Sequence, residues 1–356
     1  MSHAADSTTS HWPFALAALL ICVGAANGAL GAMEAEEGAD FDLRRARIKM
    51  EGHLFDPRVG FYFEHELSGD RPLLDLRLDV RFSDSFRMRA GQYKVLYNRE
   101  RVDSSGKQQF VERSIATYAF TLDRQRGITL TKRLAASTRA DTELMGGLFE
   151  GDGRSPGPRG DEPMAVLRWQ WNFLGRSLGF SQSDVALRDV PAASLSLAAA
   201  TVRGPYTRFS SSGGGQLDGF ESGGDERYTL DQWQQGFAWQ YRGMSVQQEY
   251  HEKRIEDHES GRRSKLEGGY LQFGKLWPVR IASRRRGLEL AGRYARVEWR
   301  NTPVDRTQTE LSLVTNLFIT GHDNKLSLDV SRLEVRQPGL GSQDDFRLRI
   351  QWDVSL

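Results

Sequence analysis

The sequence predicts an all-β chain: a transmembrane antiparallel β-barrel of about sixteen strands. Three observations predict it. Apolar and polar residues alternate along most of the chain. No apolar run reaches the roughly 18–20 residues that a membrane-spanning helix needs, whereas a barrel strand needs only about 9–11 with every second one apolar. Aromatic residues also gather near the ends of the alternating segments, at Trp169, Trp171, Trp233, Trp239, Tyr241, Trp299 and Trp352, as interfacial girdles do.

The clearest early segment is Leu73–Phe82, LLDLRLDVRF. From Leu74 onward, Leu76, Leu78, Val80 and Phe82 share one parity, and Asp75, Arg77, Asp79 and Arg81 share the other. A strand points successive side chains to opposite faces, so this ribbon has one oily side and one ionic side. In order along the chain, the same pattern sets Arg45, Arg47, Lys49 and Glu51 against Ala46, Ile48 and Met50, then Val59, Phe61 and Phe63 against Tyr62, Glu64 and Glu66. Phe86, Met88 and Ala90 follow against Arg87 and Arg89, and Ala116, Tyr118, Phe120 and Leu122 share a parity and predict a further strand. The run Ala165–Phe173 and the segments around Trp233–Tyr241, Leu311–Ile319 and Leu326–Val330 continue it. The last segment, Phe346–Leu356, opposes Arg347, Arg349, Gln351 and Asp353 to six apolar residues. Gly, Asp, Asn, Ser and Pro punctuate the segments. The stretches 151–163 and 210–226 are rich in Gly, Ser and Pro and read as flexible loops.

Residues 1–32 read as a secretory signal, with the apolar core WPFALAALLICV at 12–23 and small residues behind it that fit cleavage after Gly28 or Gly31. A short polar segment at 33–42 then leads into one barrel domain over 43–356. The single cysteine, Cys22, lies in the signal core, so the mature chain would hold no disulfide and no thiolate site. Of the 356 residues, 27% are charged, and the formal net charge is +1. That near balance gives no footprint for nucleic acid. Mean hydropathy is −0.54. Motifs of nucleophilic, metal or phosphate-loop enzymes are not read, and no cofactor is implied: His251 and His258 lack the HExxH spacing, and Gly213–Gly215 lacks the Lys-Ser/Thr of a phosphate loop. The reading is therefore a channel rather than an enzyme. Two alternatives share the pattern: a non-conducting structural or adhesin-like barrel whose lumen is zipped by salt bridges, and a secreted soluble β-protein.

Several segments together resemble the phosphate-selective porin O/P family of Gram-negative outer membranes. They are FDLRRARIKMEGHLFDPRVGFYFEHEL at 41–67, GQYKVLYNRERVDSSGKQQFVERS at 91–114 and GLELAGRYARVEW at 287–299. The resemblance implies a pore of about sixteen strands in outer-membrane lipid, usually a homotrimer, that passes small anions, with phosphate the best-known case. Selectivity in such a pore comes from charge at its narrowest point, and arginine suits phosphate because its planar fork donates two parallel hydrogen bonds. Parity makes Arg45, Arg47, Lys49, Arg77, Arg81, Arg87 and Arg89 wall candidates. The family-like stretch adds Arg99, Arg101, Lys107 and Arg113, provided its loop folds into the lumen. Pairing of the wall arginines with neighbouring carboxylates, such as Asp75 and Asp79, is the competing reading. Only about four predicted strands precede residue 97, which would turn that loop to the periplasm if the chain starts there.

Overall fold

The computed structural model of the protein describes residues 18–20, 45–67, 72–154, 162–224, 226–281 and 283–355. In chain order its strands are β1 (Ala18–Leu20), β2 (Arg45–Leu54), β3 (Asp56–Glu66), β4 (Leu73–Ser83), β5 (Phe86–Lys94), β6 (Arg124–Leu134), β7 (Thr142–Phe149), β8 (Met164–Trp171) and β9 (Ala192–Gly204). There follow β10 (Arg208–Ser210), β11 (Gly213–Gly215), β12 (Tyr228–Tyr241), β13 (Met244–Asp257), β14 (Arg263–Ile281), β15 (Arg284–Arg300), β16 (Arg306–Phe318), β17 (Asn324–Gln337) and β18 (Gly341–Val354). All but β10 and β11 form one 16-stranded sheet in which chain neighbours pair, and β10 and β11 make a separate hairpin. β1 pairs antiparallel with β2 and also lies against β18, so the two edges of the sheet approach each other. The expected cleavage sites and the segment 33–42 lie outside the described residues. β1 falls within the stretch read as a signal.

The sheet is oily outside and polar inside. On β16, Leu311 and Leu313 are 56% and 58% exposed, while Glu310 and Ser312 beside them are 3% and 0% exposed. A water-soluble protein buries its leucines, and this inversion is the signature of a lipid-facing belt around a polar interior. The ribbon at Leu73–Phe82 follows it: Leu76, Leu78 and Phe82 face outward, and Asp75 is buried inside. Aromatic residues edge the belt, with Trp233 against Tyr250 at 5.7 Å and Trp171 and Trp352 exposed. Trp299 departs from the girdle expectation. It is 2% exposed, on the inward parity, with the Arg306 guanidinium 3.9 Å over its ring. Beyond Tyr294 on the outer face of β15 come Arg296, Glu298 and Arg300, joined to Glu267 in ion pairs, which hydrocarbon would not tolerate and which therefore mark the edge of the belt.

Local chemistry keeps the ladders in register. The hairpin between β12 and β13 closes through Arg242 (φ 48°) and Gly243 (φ 78°), the double left-handed turn that suits strand twist. Gly91 (φ 123°) sits opposite Arg77, where a Cβ would collide with the Leu76 carbonyl, so β4 and β5 approach closely only because it is glycine.

Two connections leave the wall and enter the barrel. Residues 95–123, between β5 and β6, form α1 (Arg99–Val102), a 3-10 turn at Ser105–Lys107 and α2 (Ile115–Phe120). The strand expected from Ala116, Tyr118, Phe120 and Leu122 is thus a short helix followed by a turn. No neighbouring strand offers this segment a ladder, so its backbone closes hydrogen bonds locally, as Thr121 N–H does to Thr117 C=O. Carboxylates from elsewhere take its first amides: Glu310 accepts Ile115 N–H at 2.9 Å and Glu100 accepts Ser114 N–H at 2.9 Å. Phe120 stacks on His251 of β13 at 5.0 Å. The second connection, 172–191, follows β8. In an antiparallel sheet the connections after β5 and β8 leave from opposite ends, so the two segments enter from opposite mouths. They meet where Gln182 accepts Gln109 N–H at 2.9 Å and donates to Gln108 at 2.7 Å.

Candidate functional site: a cation-rich constriction in the lumen

Segment 95–123 does not hang centrally; it is fastened to one wall. Gln109 donates to Glu289 of β15 at 2.8 Å, and Val111 N–H donates to Asp329 of β17 at 3.2 Å. Lys325 of β17 donates to the Gln108 carbonyl at 2.7 Å, and Arg293 of β15 bridges Glu100 and Glu310. Glu249 of β13 accepts the Arg99 and Glu100 amides. That half of the interior is packed with hydrogen-bonded side chains. The open space lies on the opposite side, between the loop and β2–β5, as a cavity of about 730 Å³.

Among the described residues, seven cations line this cavity: Arg45, Arg47, Lys94, Arg101, Arg113, Arg154 and Arg208. Three carboxylates oppose them, Glu66, Glu112 and Asp123, which leaves a formal excess of four positive charges. Several cations are neutralised locally. Arg47 binds Glu66 at 2.6 Å and Glu64 at 3.2 Å, Arg45 lies 3.8 Å from Glu112, and Arg101 forks onto both oxygens of Asp123. Burial raises the Asp123 carboxyl, but Arg101, with Arg124 and Lys94 nearby, outweighs it and brings the group to about 2.

Two cations are held differently. Lys94 Nζ donates to the Asp103 carbonyl at 2.9 Å, and Arg113 Nη2 donates to the same oxygen at 3.0 Å. Their nitrogens are therefore separated by no more than the sum of those distances, 5.9 Å. Neither forms an ion pair with a carboxylate among the described residues; carbonyl dipoles hold both. Burial, then Arg101 and Arg45, push the Arg113 guanidinium down to about 9, the mark of a crowded positive site with too little counter-charge. Asp103 itself keeps its carboxylate on Ser104 N–H at 2.9 Å, and burial raises its pKa.

The sequence candidates separate into groups. Arg45 and Arg47 line the cavity. Lys49 is placed in register with Glu64, on the inward parity of β2. Arg77 and Arg89 both clasp Asp79, at 3.0 and 2.6 Å, with Arg77 over the Tyr62 ring at 4.2 Å. Arg87 pairs with Glu143 at 2.9 Å, and Arg81, opposite Arg87 in the ladder, forms no ion pair among the described residues. Pairing thus runs within β4 and to β5 rather than from Arg77 to Asp75, which is held instead by Arg124 at 2.9 Å. Of the loop candidates, Arg101 and Arg113 reach the cavity. Arg99 does not: it is buried against Gln247 and the Ser181 carbonyl, a fastening role. Lys107 is exposed and away from the cavity lining.

Lys94, Arg154 and Arg208 were not among the candidates. By alternation Lys94 falls on the outward parity of β5, yet it is the strand's last residue, where the chain turns inward. Arg154 comes from the stretch 151–163 expected to be a flexible loop, and Arg208 lies just before the second such stretch, 210–226. Residues 208–215 fold as the β10–β11 hairpin over the cavity, with the Arg208 guanidinium 3.9 Å above the Tyr118 ring. These connections follow β7 and β9, so they lie at the same mouth as the loop after β5.

The fold is similar to solved outer-membrane barrels. An anion-selective porin from Comamonas acidovorans aligns over 88% of this chain and 90% of its own, at 11% identity and a TM-score of 0.56. The outer membrane channel DcaP of Acinetobacter baumannii aligns over 96% of each chain, at 11% identity and a TM-score of 0.55. A loop-deletion mutant of OmpT from Vibrio cholerae covers 88% of this chain and 90% of its own, at 8% identity and a TM-score of 0.54. Identities this low show the shared barrel alone. No curated protein matches the chain. The family model of the phosphate-selective porins O and P matches residues 29–332. With most of its length matched and its inside-out barrel narrowed by an inward loop, the chain belongs to the phosphate-selective porin O and P family of outer-membrane channels.

Proposed function

We propose that the protein is a water-filled pore for passive diffusion of small hydrophilic anions, phosphate among them. The Lys94–Arg113 pair would act as the selective contact, and Arg45, Arg47 and the β4–β5 arginines would line the way to it. The observation that carries this reading is the cavity's excess of four cations around two side chains that no carboxylate among the described residues neutralises. At about 4 Å each such charge attracts an anion by about 1 kcal/mol in bulk water and about 4 kcal/mol at an effective dielectric of 20. A whole-chain charge near zero does not oppose this, because the surplus is concentrated where the lumen is narrow. The same reading includes export by the N-terminal segment, assembly as a homotrimer and contact of the outer face with outer-membrane lipid. Reversal potentials across planar bilayers in a KCl gradient test it: anion selectivity, with chloride current blocked by added phosphate, is expected, and cation selectivity would refute it.

One observation favours a second reading, a non-conducting barrel. Segments 95–123 and 172–191 meet inside the lumen, and a dense hydrogen-bonded network fills the side toward β13–β17. That barrel would insert into bilayers without conductance steps.

A further inference from the structure

The cavity is far larger than the ion that its charged pair would hold. Phosphate has five heavy atoms, comparable with a few water molecules of about 30 Å³ each. The cavity is about 730 Å³. That lies in the range of roughly 300–1,000 Å³ typical of sites for whole organic molecules.

What lines the remaining volume is rich in hydroxyls. Ser105, Ser114, Thr117, Thr121 and the run Ser210–Ser212 all border it. Their hydrogen-bonding states complement one another. Ser105 Oγ accepts Arg47 at 3.1 Å and Thr121 Oγ1 accepts Asp123 N–H at 3.0 Å, so each keeps its own O–H to donate. Ser114 and Thr117 both spend their O–H on Glu100 at 2.6 Å, so each keeps lone pairs to accept. Ser211 is exposed, and its hydroxyl has no partner among the described residues. Two aromatic rings, Tyr118 and Phe209, stand beside these groups. Arg208 lies over the Tyr118 ring, and its Nε–H has no acceptor among the described residues.

A solute that matches this lining carries a compact anionic group at one end and several hydroxyls, each both donor and acceptor, on a ring or chain that can lie on an aromatic face. We infer that the cavity is a binding site for phosphorylated sugars or polyols, with the phosphate at Lys94 and Arg113 and the hydroxylated body between α2 and the β10–β11 hairpin. This deepens the anion-pore reading and rests on it. Orthophosphate uses the charged pair alone; the hydroxylated body adds contacts that the lining already has the geometry to make.

The test is block of chloride current through the full-length protein in planar bilayers at about pH 8, where a phosphomonoester is a dianion. Four probes are compared: orthophosphate, glucose 6-phosphate, glucose and n-hexyl phosphate. Glucose 6-phosphate is expected to block at a concentration at least about fivefold lower than orthophosphate or n-hexyl phosphate, with glucose inert; fivefold corresponds to about 1 kcal/mol, near the worth of one hydrogen bond. Tyr118→Leu and Ser211→Ala are expected to erode that advantage while leaving the orthophosphate block in place. Equal block by glucose 6-phosphate and orthophosphate would overturn the inference and leave the anion pore standing. Equal block by n-hexyl phosphate would overturn hydroxyl recognition specifically. Absence of block by any phosphate would overturn the inference together with the anion site beneath it. The wild-type comparison needs no variant to fold.

Discussion

Neutralising one member of the Lys94–Arg113 pair should weaken anion binding without collapsing the barrel. Lys94→Gln and Arg113→Gln remove the charge and leave an amide donor, one atom shorter than lysine and two shorter than arginine, near the Asp103 carbonyl that both cations now share at 2.9 and 3.0 Å. An anion seated between two groups no more than 5.9 Å apart lies within direct contact of both. Each contributes between about 1 and 4 kcal/mol at 4 Å, according to whether the dielectric is that of water or of a protein surface. A wet constriction lies between these limits, so about 2 kcal/mol is expected per charge, or roughly 30-fold in half-blocking concentration. The assay is titration of phosphate against chloride current through single inserted channels, with the reversal potential in a KCl gradient recorded on the same membranes. Each variant should raise the half-blocking concentration by that factor and move the reversal potential toward zero. Both variants together should nearly abolish block. Unit conductance close to wild type with an unchanged half-blocking concentration in either variant would refute the assignment of the selective contact to this pair.

Three further outcomes follow from the same geometry. Arginine is charged below its pKa and neutral above it, so a guanidinium held near 9 loses its charge within reach of an ordinary titration; block by sulfate, whose own charge is constant there, should be full at about pH 7 and weaken as pH rises through about 9, and Arg113→Gln should shrink that step to what the Lys94 ammonium contributes. Glu112→Gln removes one of the three carboxylates of the cavity and should shift the reversal potential further toward the chloride value; no shift would show that the anion path bypasses the cavity. Single cysteines at Leu76 and Arg77 should carry spin labels into opposite surroundings, the first accessible to oxygen dissolved in lipid and the second to a water-soluble relaxant; matching accessibility would contradict the outward oily face.

The wall of this protein is legible in its sequence because one rule decides it. Side chains of a strand between lipid and water have only two destinations, and a period of two separates them. Arg77, Asp79, Arg87 and Arg89 were placed by that rule, and they pair with one another or with a neighbouring strand as charged groups on one face do. The rule fails wherever a residue leaves the ladder. Lys94 carries the outward parity but belongs to a strand end, and Trp299 has the aromatic identity of a girdle residue but the parity of the lumen. Ala116–Leu122 alternates as well as any strand. An alternating segment becomes a strand only if a neighbour supplies its hydrogen bonds, and inside the barrel none does.

The position of the constriction was harder still to read, because it depends on a count. About four predicted strands before residue 97 would send the loop toward the chain's starting side. In the structure five strands, β1–β5, precede it, and the one the count leaves out is β1, Ala18–Leu20, first in the order of the sheet: three residues from an apolar stretch with no alternation to announce it. One strand more or less exchanges the two mouths for every later connection. The connections after β5, β7 and β9 share one mouth whatever the count before them, because two wall strands separate each from the next, which is why Arg113, Arg154 and Arg208 converge on one cavity although 95 residues separate the first from the last. Convergence of this kind is invisible to any local pattern. The three arginines lie in separate connections, and only the antiparallel order of the sheet delivers all three to one place. On the proposed reading, specificity would come from connections at a common mouth, so exchanging the β10–β11 hairpin for a short turn should alter which anions bind while leaving the wall, and insertion into the membrane, intact.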